Sequence, residues 1–298
     1  MEQLHFHIGP HKTATTRIQH VLQDQVEALA GQGVGLANVG VIRNLAGNDL
    51  RRARVAGGKM TVEAAAAELA ARKTDPVWKQ PRVIATFENV VGGMMDVLGA
   101  KDGVGYPRVG DRLAVFAKLF EGTPTRIFCA VREYGSFYAS CYSQHVRNGG
   151  VEPAEDLVSA LDGAVMRWPE FLRRVQGAWP GAELCVWDYG AYRAREPELL
   201  NELAFGAEIE LPDPGEIHTS LSSGAAAALR ALWGPLGEVR YQRKRRIANS
   251  IAAAMPASEY GRLGFFGDED RERLAGLYAE DLQEIAAMDG VAMLLSDA

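Results

Sequence analysis

The segment that most constrains this chain is the octapeptide Gly9-Pro10-His11-Lys12-Thr13-Ala14-Thr15-Thr16. It follows an alternating stretch, Gln3 to Gly9, that reads as a short strand closed by glycine. Beyond it Ile18, Val21, Leu22, Val26 and Leu29 fall at helical spacing on one face. A strand that turns directly into a helix leaves several backbone N–H groups without partners, aimed at one point where the helix dipole adds positive potential. Lys12 adds a mobile positive charge, and Thr13, Thr15 and Thr16 add hydroxyls, so the turn is suited to an anion. The lysine comes early and threonines follow it, unlike the ordinary Gly-x4-Gly-Lys-Ser/Thr phosphate loop. The competing reading is an ordinary strand–turn–helix capped by its threonines.

The rest of the chain sets this turn in an alternating frame. Gly31 to Gly40 is glycine-rich and reads as a loop with a short strand, and the alanine-rich stretch 61–72 as a helix with Thr61 and Glu63 near its start. Arg82 to Glu88 is a strand ending on a carboxylate, and Asp111 to Phe120 a helix. Arg126 to Val131 is nearly all apolar, as suits a strand covered on both faces in a parallel sheet. Helices are expected at about 135–147 and 167–178, and a further strand at Glu183 to Trp187. After about residue 205 the strand signals stop. Pro212, Pro214 and Gly215 mark a linker, and helices are expected near 222–233, 241–253 and 268–287. The expected fold is α/β: a three-layer αβα arrangement with a central, mainly parallel sheet and an α-helical C-terminal part. One domain spans 1–298, with the α/β core at about 1–205 and the helical extension at about 206–298.

Composition narrows the class. An apolar share of 47% with 23% charged residues excludes a disordered chain, and no apolar stretch approaches the length of a membrane span. The formal charge of −6 argues against a nucleic-acid partner. Met1 to Ile8 has neither the basic nor the apolar region of a secretory leader. Cys129, Cys141 and Cys185 lie far apart in apolar stretches, which points to reduced thiols and a cytoplasmic setting. His5 and His7 share one face of the first strand, but with His11 they lack a carboxylate or cysteine at ligand spacing, so no metal is expected.

A second segment, Arg132-Glu-Tyr-Gly-Ser-Phe-Tyr-Ala-Ser140, follows the apolar strand directly. A guanidinium grips phosphate in a bidentate fork, and a serine on the following helix adds a hydroxyl donor. The two segments together resemble the sulfotransferase family. Its phosphosulfate turn commonly reads Lys-x-Gly-Thr-Thr or Lys-Thr-Gly-Thr-Thr, with a histidine before the lysine in many bacterial members, like His11 here. Its strand-end arginine is followed eight residues later by a serine, and the two bind the donor's 3′-phosphate. This chain departs at Ala14, where glycine is usual, at Arg17, where a small residue is common, and at Glu133-Tyr134, where Asp-Pro is common. The Ala14 methyl implies a negative φ there. Looser similarities are Cys185-Val-Trp-Asp-Tyr189, Thr219 to Ser223, and the run Asp268 to Leu282 with Tyr278 and Asp281.

The resemblance implies a P-loop-like fold and 3′-phosphoadenosine 5′-phosphosulfate as donor, with no metal. Donor contacts are then expected from His11, Lys12, Thr13, Ala14, Thr15, Thr16, Arg17, Arg132 and Ser140. Lys12 would neutralise charge on the leaving oxygens, and the amides of 13–17 would hold the 5′-phosphate. Glu88, at a strand's carboxyl end, is the first choice of base, His11 the second and His145 the third. For Glu88 a helix-capping role weighs equally. The acceptor is a small molecule, a lipid-linked compound or a glycan, and its pocket is drawn from 43–60, 89–107 or 205–260. Arg243-Lys244-Arg245-Arg246 reads first as a solvated face and second as an entrance for an anion. Trp168, Trp179, Trp187 and Trp233 are assigned to the core. Two alternatives stay open: a Mg²⁺-dependent nucleotide or metabolite kinase, and a non-catalytic nucleotide-binding protein of the same fold. The oligomeric state is open.

Overall fold

The computed structural model describes residues 1–46, 60–98, 104–163, 165–212, 220–237 and 239–295. Strand β1 (Gln3–His7) is followed by helix α1 (Thr15–Asp24) and strand β2 (Val34–Ala37). Then come α2 (Val62–Arg72), β3 (Arg82–Thr86), α3 (Val109–Leu119), β4 (Thr125–Val131) and α4 (Tyr134–Arg147). Helix α5 (Trp168–Ala178), β5 (Glu183–Asp188) and α6 (Glu196–Leu203) complete the α/β part. The C-terminal part holds α7 (Ser223–Leu236), α8 (Tyr241–Ala254), α9 (Asp268–Ala286) and β6 (Val291–Leu294).

The six strands form one sheet in the order β2-β3-β1-β4-β5-β6, and every neighbouring pair is parallel. Alternation along the strands divides the interior into two cores. Leu4, Phe6, Ile8, Val83, Ile127, Cys129 and Val186 face a core shared with α2, α3 and α5. Ile84, Phe128, Ala130, Cys185 and Trp187 face the other, shared with α1 and α6. His5 and His7 lie on this second side, against the Phe128 and Trp187 rings. Burial on both faces is why β4 is apolar almost throughout: each fully buried side chain of this size contributes roughly 1.5–3 kcal/mol. All four tryptophans assigned to the core are buried.

The C-terminal helices join the first core by packing on α4, with Leu229, Trp233, Leu274 and Ile285 all buried in it. Ser222 caps α7 by accepting the Ala225 N–H at 2.9 Å. One element was not expected here: after α9 the chain returns to the sheet as β6, parallel to β5. Its four residues, Val-Ala-Met-Leu, are all only half-buried and too few to set a period, so the segment carries no strand signal. The run expected as one helix from Ile18 to Leu29 breaks at Gln25 into α1 and a short helix, Val26–Gly31. Pro214, Gly215 and Thr219 lie outside the described residues. Among the described residues no helix is long and apolar enough to cross a membrane. Cys129, Cys141 and Cys185 are unpaired and buried.

Strand β1 lies between β3 and β4, so its carboxyl end opens where connections leave to either side of the sheet. Ligands in such sheets bind at that point.

Candidate functional site

The turn after β1 is folded tightly on itself. A Cβ at Gly9 would lie 2.5 Å from Thr15 Oγ1 and 2.9 Å from His7 Nε2, so only glycine fits there. Lys12 and Ala14 both adopt φ 64°, while Thr13 between them keeps a negative φ. Ala14 therefore corrects the expectation of a negative φ. The chain enters α1 through the left-handed region, and the methyl is accommodated at a cost of about 1–2 kcal/mol. Alternating signs of φ turn successive N–H groups toward one concavity, an arrangement that binds anions. Thr13 closes a turn on Pro10, and among the described residues the N–H groups of Lys12, Ala14, Thr15 and Thr16 have no acceptor.

The threonines do not cap the helix. Thr13 Oγ1 donates to the Pro10 carbonyl at 2.7 Å, and Thr15 Oγ1 approaches the same oxygen at 3.5 Å. Both hydroxyls are buried inside the turn, while Thr16 is exposed on the first turn of α1. Among the described residues no side-chain cap and no first-turn carboxylate offsets the positive end of helix α1.

The junction after β4 faces this turn. A guanidinium nitrogen of Arg132 donates to the Lys12 carbonyl, and Arg132 Nε donates to Ser136 Oγ at 3.1 Å. The guanidinium carbon lies 4.3 Å from the Tyr189 ring centroid, and the Arg132 carbonyl accepts the Trp168 indole N–H at 2.9 Å. Burial lowers the Arg132 pKa. Glu133, standing where Asp-Pro was the pattern, caps α4 by accepting the N–H groups of Gly135 and Ser136 at 2.6 and 2.7 Å. Ser140 is buried one helical turn beyond Ser136 on the same side of α4. Ser136, at four residues from Arg132, was legible as a helical neighbour but was not singled out by the sequence.

Lys12 is half-buried. Burial lowers its pKa, Arg132 and Arg147 add to this, and Glu88 opposes it. Glu88 opens a short 3₁₀ turn after β3, and burial raises its pKa against the pull of Arg43 and Lys12. Its carboxylate caps nothing and makes no side-chain hydrogen bond among the described residues. His11 is committed to the fold: its ring stacks on Tyr106 with centroids 5.8 Å apart. The His11 backbone N–H donates to the Tyr106 hydroxyl at 3.1 Å, so the phenolic proton is directed to His11 Nδ1, also at 3.1 Å. Burial pushes the imidazole pKa down to about 4, with an Asn89 hydrogen bond opposing.

The turn residues 11–16, Glu88 and Arg132 thus converge at one edge, with Ser140 on the adjoining helix. Arg17 is directed elsewhere: Nε donates to Glu196 of α6 at 3.0 Å, and a guanidinium N–H to the Pro212 carbonyl at 2.9 Å. His145 sits in the last turn of α4, with Nε2 2.6 Å from a Glu152 carboxylate oxygen. His5 and His7 have separate partners, the Leu203 carbonyl at 2.9 Å and the Thr86 hydroxyl at 3.1 Å. Among the described residues no cluster of three or more His, Cys, Asp and Glu side chains is placed to hold a metal ion. Sequence reading did not single out Arg147, and it carried Tyr189, Asn89 and Tyr106 only as members of longer stretches; all four frame the site from other elements.

Compared with known proteins, the chain matches no family model and no curated sequence.

Proposed function

We propose that this protein is a sulfotransferase of P-loop-like fold. It transfers a sulfuryl group from 3′-phosphoadenosine 5′-phosphosulfate to a hydroxyl or amine of a small-molecule or glycan acceptor. The observation that carries the reading is the uncapped concavity of residues 12–16, tied through the Lys12 carbonyl to Arg132. Four N–H groups without acceptors among the described residues and two half-buried cations fit an anionic donor with phosphate at both ends.

In the transfer a new bond forms between the acceptor oxygen or nitrogen and sulfur. The bond from sulfur to the 5′-phosphate oxygen breaks, and 3′-phosphoadenosine 5′-phosphate leaves. Lys12 balances the charge that gathers on that leaving oxygen, more strongly for being partly withdrawn from water. Arg132 holds the remote phosphate while its own carbonyl is fixed by Trp168. Glu88 takes the acceptor proton. Its burial raises its affinity for that proton, and among the described residues its carboxylate makes no side-chain hydrogen bond. His11 positions the turn through Tyr106 and is not the base in this reading.

The test is calorimetric titration with 3′-phosphoadenosine 5′-phosphate, against ADP and ATP with and without Mg²⁺. Mg²⁺-independent binding of the 3′-phosphorylated nucleotide is expected, and Arg132→Ala should weaken it by ~1.5–3 kcal/mol. A preference for ATP with Mg²⁺ would replace the reading with a kinase.

A further inference from the structure

Between Val239 and Ser258 the chain carries Arg240, Arg243, Lys244, Arg245 and Arg246 and no acidic residue, within a protein of net charge −6. Helix α8 spans most of this run, and its inner face is settled by packing: Ala248 is buried, and Ile247, Ile251 and Ala252 lie against the first core. Lys244 turns inward, with Nζ 5.8 Å from the Trp233 ring centroid. Arg240, Arg243, Arg245 and Arg246 are exposed, and none of the four has an ion-pair partner among the described residues. Several arginines elsewhere are matched with carboxylates, as Arg126 is with Glu183 and Glu202, Arg173 with Glu284, and Arg195 with Glu198.

Arg240, Arg243 and Arg246 line one open groove of about 670 Å³, with Leu236, Tyr241 and Ile247 as its less polar walls. At three-residue spacing each cation advances about 4.5 Å along the helix and turns about 60° around it. The charges therefore wind around α8 and do not lie in a plane. A flexible chain of repeated anions meets charges so spaced in turn. Single-stranded nucleic acid calls for successive aromatic platforms, and the groove offers only Tyr241. Tyr241, 62% exposed, and Leu236, 40% exposed, suit the apolar faces of sugar rings. The groove's helix is also joined to the donor edge. Arg147, at the end of α4, donates to Asn249 Oδ1 of α8 at 3.2 Å and lies near enough to Lys12 to depress its ammonium.

We propose that the exposed face of α8 binds an acidic glycan, a sugar chain with repeated carboxylate or sulfate groups, and that this chain is the acceptor presented toward Lys12. Its identification as acceptor rests on the sulfuryl-transfer reading; its binding to α8 does not.

The experiment titrates the full-length protein with a heparin-derived hexasaccharide, maltohexaose, a single-stranded DNA of matched charge, and phosphatidylglycerol vesicles. The same is done for R243E/R246E, for the milder R243Q/R246Q, and for R271E/R273E on α9, which makes the same charge change as the first where each arginine has an acidic neighbour. The acidic hexasaccharide should bind in preference to the other three. R243E/R246E should weaken it at least ~10-fold and R243Q/R246Q in the same direction, with less than ~2-fold for R271E/R273E. Equal losses in R243E/R246E and R271E/R273E, no loss in either α8 variant, or stronger binding of DNA or vesicles would overturn the proposal. Nucleotide titration of the same proteins separates the two readings. Intact nucleotide binding without glycan affinity removes the α8 proposal alone. Glycan binding without nucleotide binding removes the donor reading and the name acceptor, and leaves the glycan surface.

Discussion

Two strand-to-helix junctions stand side by side at the carboxyl edge of the sheet, and they are finished in opposite ways. After β4 the chain enters α4 through Glu133, whose carboxylate accepts two N–H groups of the first turn. After β1 it enters α1 through two non-glycine residues at φ 64°, with no cap and with open N–H groups. The capped junction is stable by itself and lends its arginine to its neighbour. The uncapped one holds strain and unmatched positive potential, a combination that persists where a ligand supplies the missing partner. The contrast is between a helix start closed by its own chain and one left open among the described residues.

The strongest way to break that contrast is Lys12→Ala. Loss of the single ammonium at the open junction should reduce turnover with the sulfate donor by ~10²–10³-fold, as for removal of one charge-stabilising donor elsewhere. The circular dichroism spectrum should be unchanged, because the Lys12 contact with Arg132 is made by the backbone. Turnover near the wild-type rate would mean that the open junction is not where the chemistry occurs.

A second effect comes from beneath the same junction. His7 is fully buried, and burial holds its pKa down to about 4. The unfolded chain takes up a proton near pH 6.5 that the folded chain refuses, so the stability is whole above that pH. It is lost as pH falls toward 4, by ~3 kcal/mol for this group. His7→Asn, which can keep a contact with Thr86, should flatten the urea-unfolding profile between pH 7 and 4 relative to wild type. Parallel profiles for the two proteins would show that His7 does not drive the acid limb.

Much of this was legible because local signals agree with the fold. Thr61 does cap α2, accepting the Ala64 N–H at 3.2 Å, and the apolar run of β4 does lie between two cores. The strand–turn–helix of residues 9–16 was legible too, since strand, glycine and helix start are all local. What the sequence hides is the outcome of competition. Three threonines after a strand predict a cap, yet two of the hydroxyls turn inward to Pro10, and nothing local says so. Arg17 next to the turn reads as a donor ligand until Glu196, far along the chain, claims it. Strand β6 forms because β5 offers an open edge, which a four-residue segment cannot announce.

Glu133→Ala probes the closed junction. Losing an N-cap of this kind costs about 1 kcal/mol. Thr16→Ala at the open junction should leave stability unchanged, since Thr16 is exposed and caps nothing, and should lower nucleotide affinity instead. Denaturant titration and calorimetry of the pair read both effects. If both variants lost stability alike, the two helix starts would not differ in kind.

The smallest effect sharpens the comparison most finely. Ala14 occupies a left-handed conformation that glycine adopts without steric cost. Ala14→Gly relieves that strain but gains conformational freedom in the unfolded chain, leaving a net stabilisation of ~0.5–1 kcal/mol. The same substitution at Ala139, inside α4, should destabilise by about 1 kcal/mol, because there glycine only loosens a helix. Opposite signs from one chemical change would locate the strain at the open junction. Nucleotide affinity should hold or rise in Ala14→Gly, because the concavity loses a methyl and keeps its N–H groups. Destabilisation by Ala14→Gly would mean that residue 14 is not left-handed in solution, and the account of the turn as an alternating concavity would have to be given up.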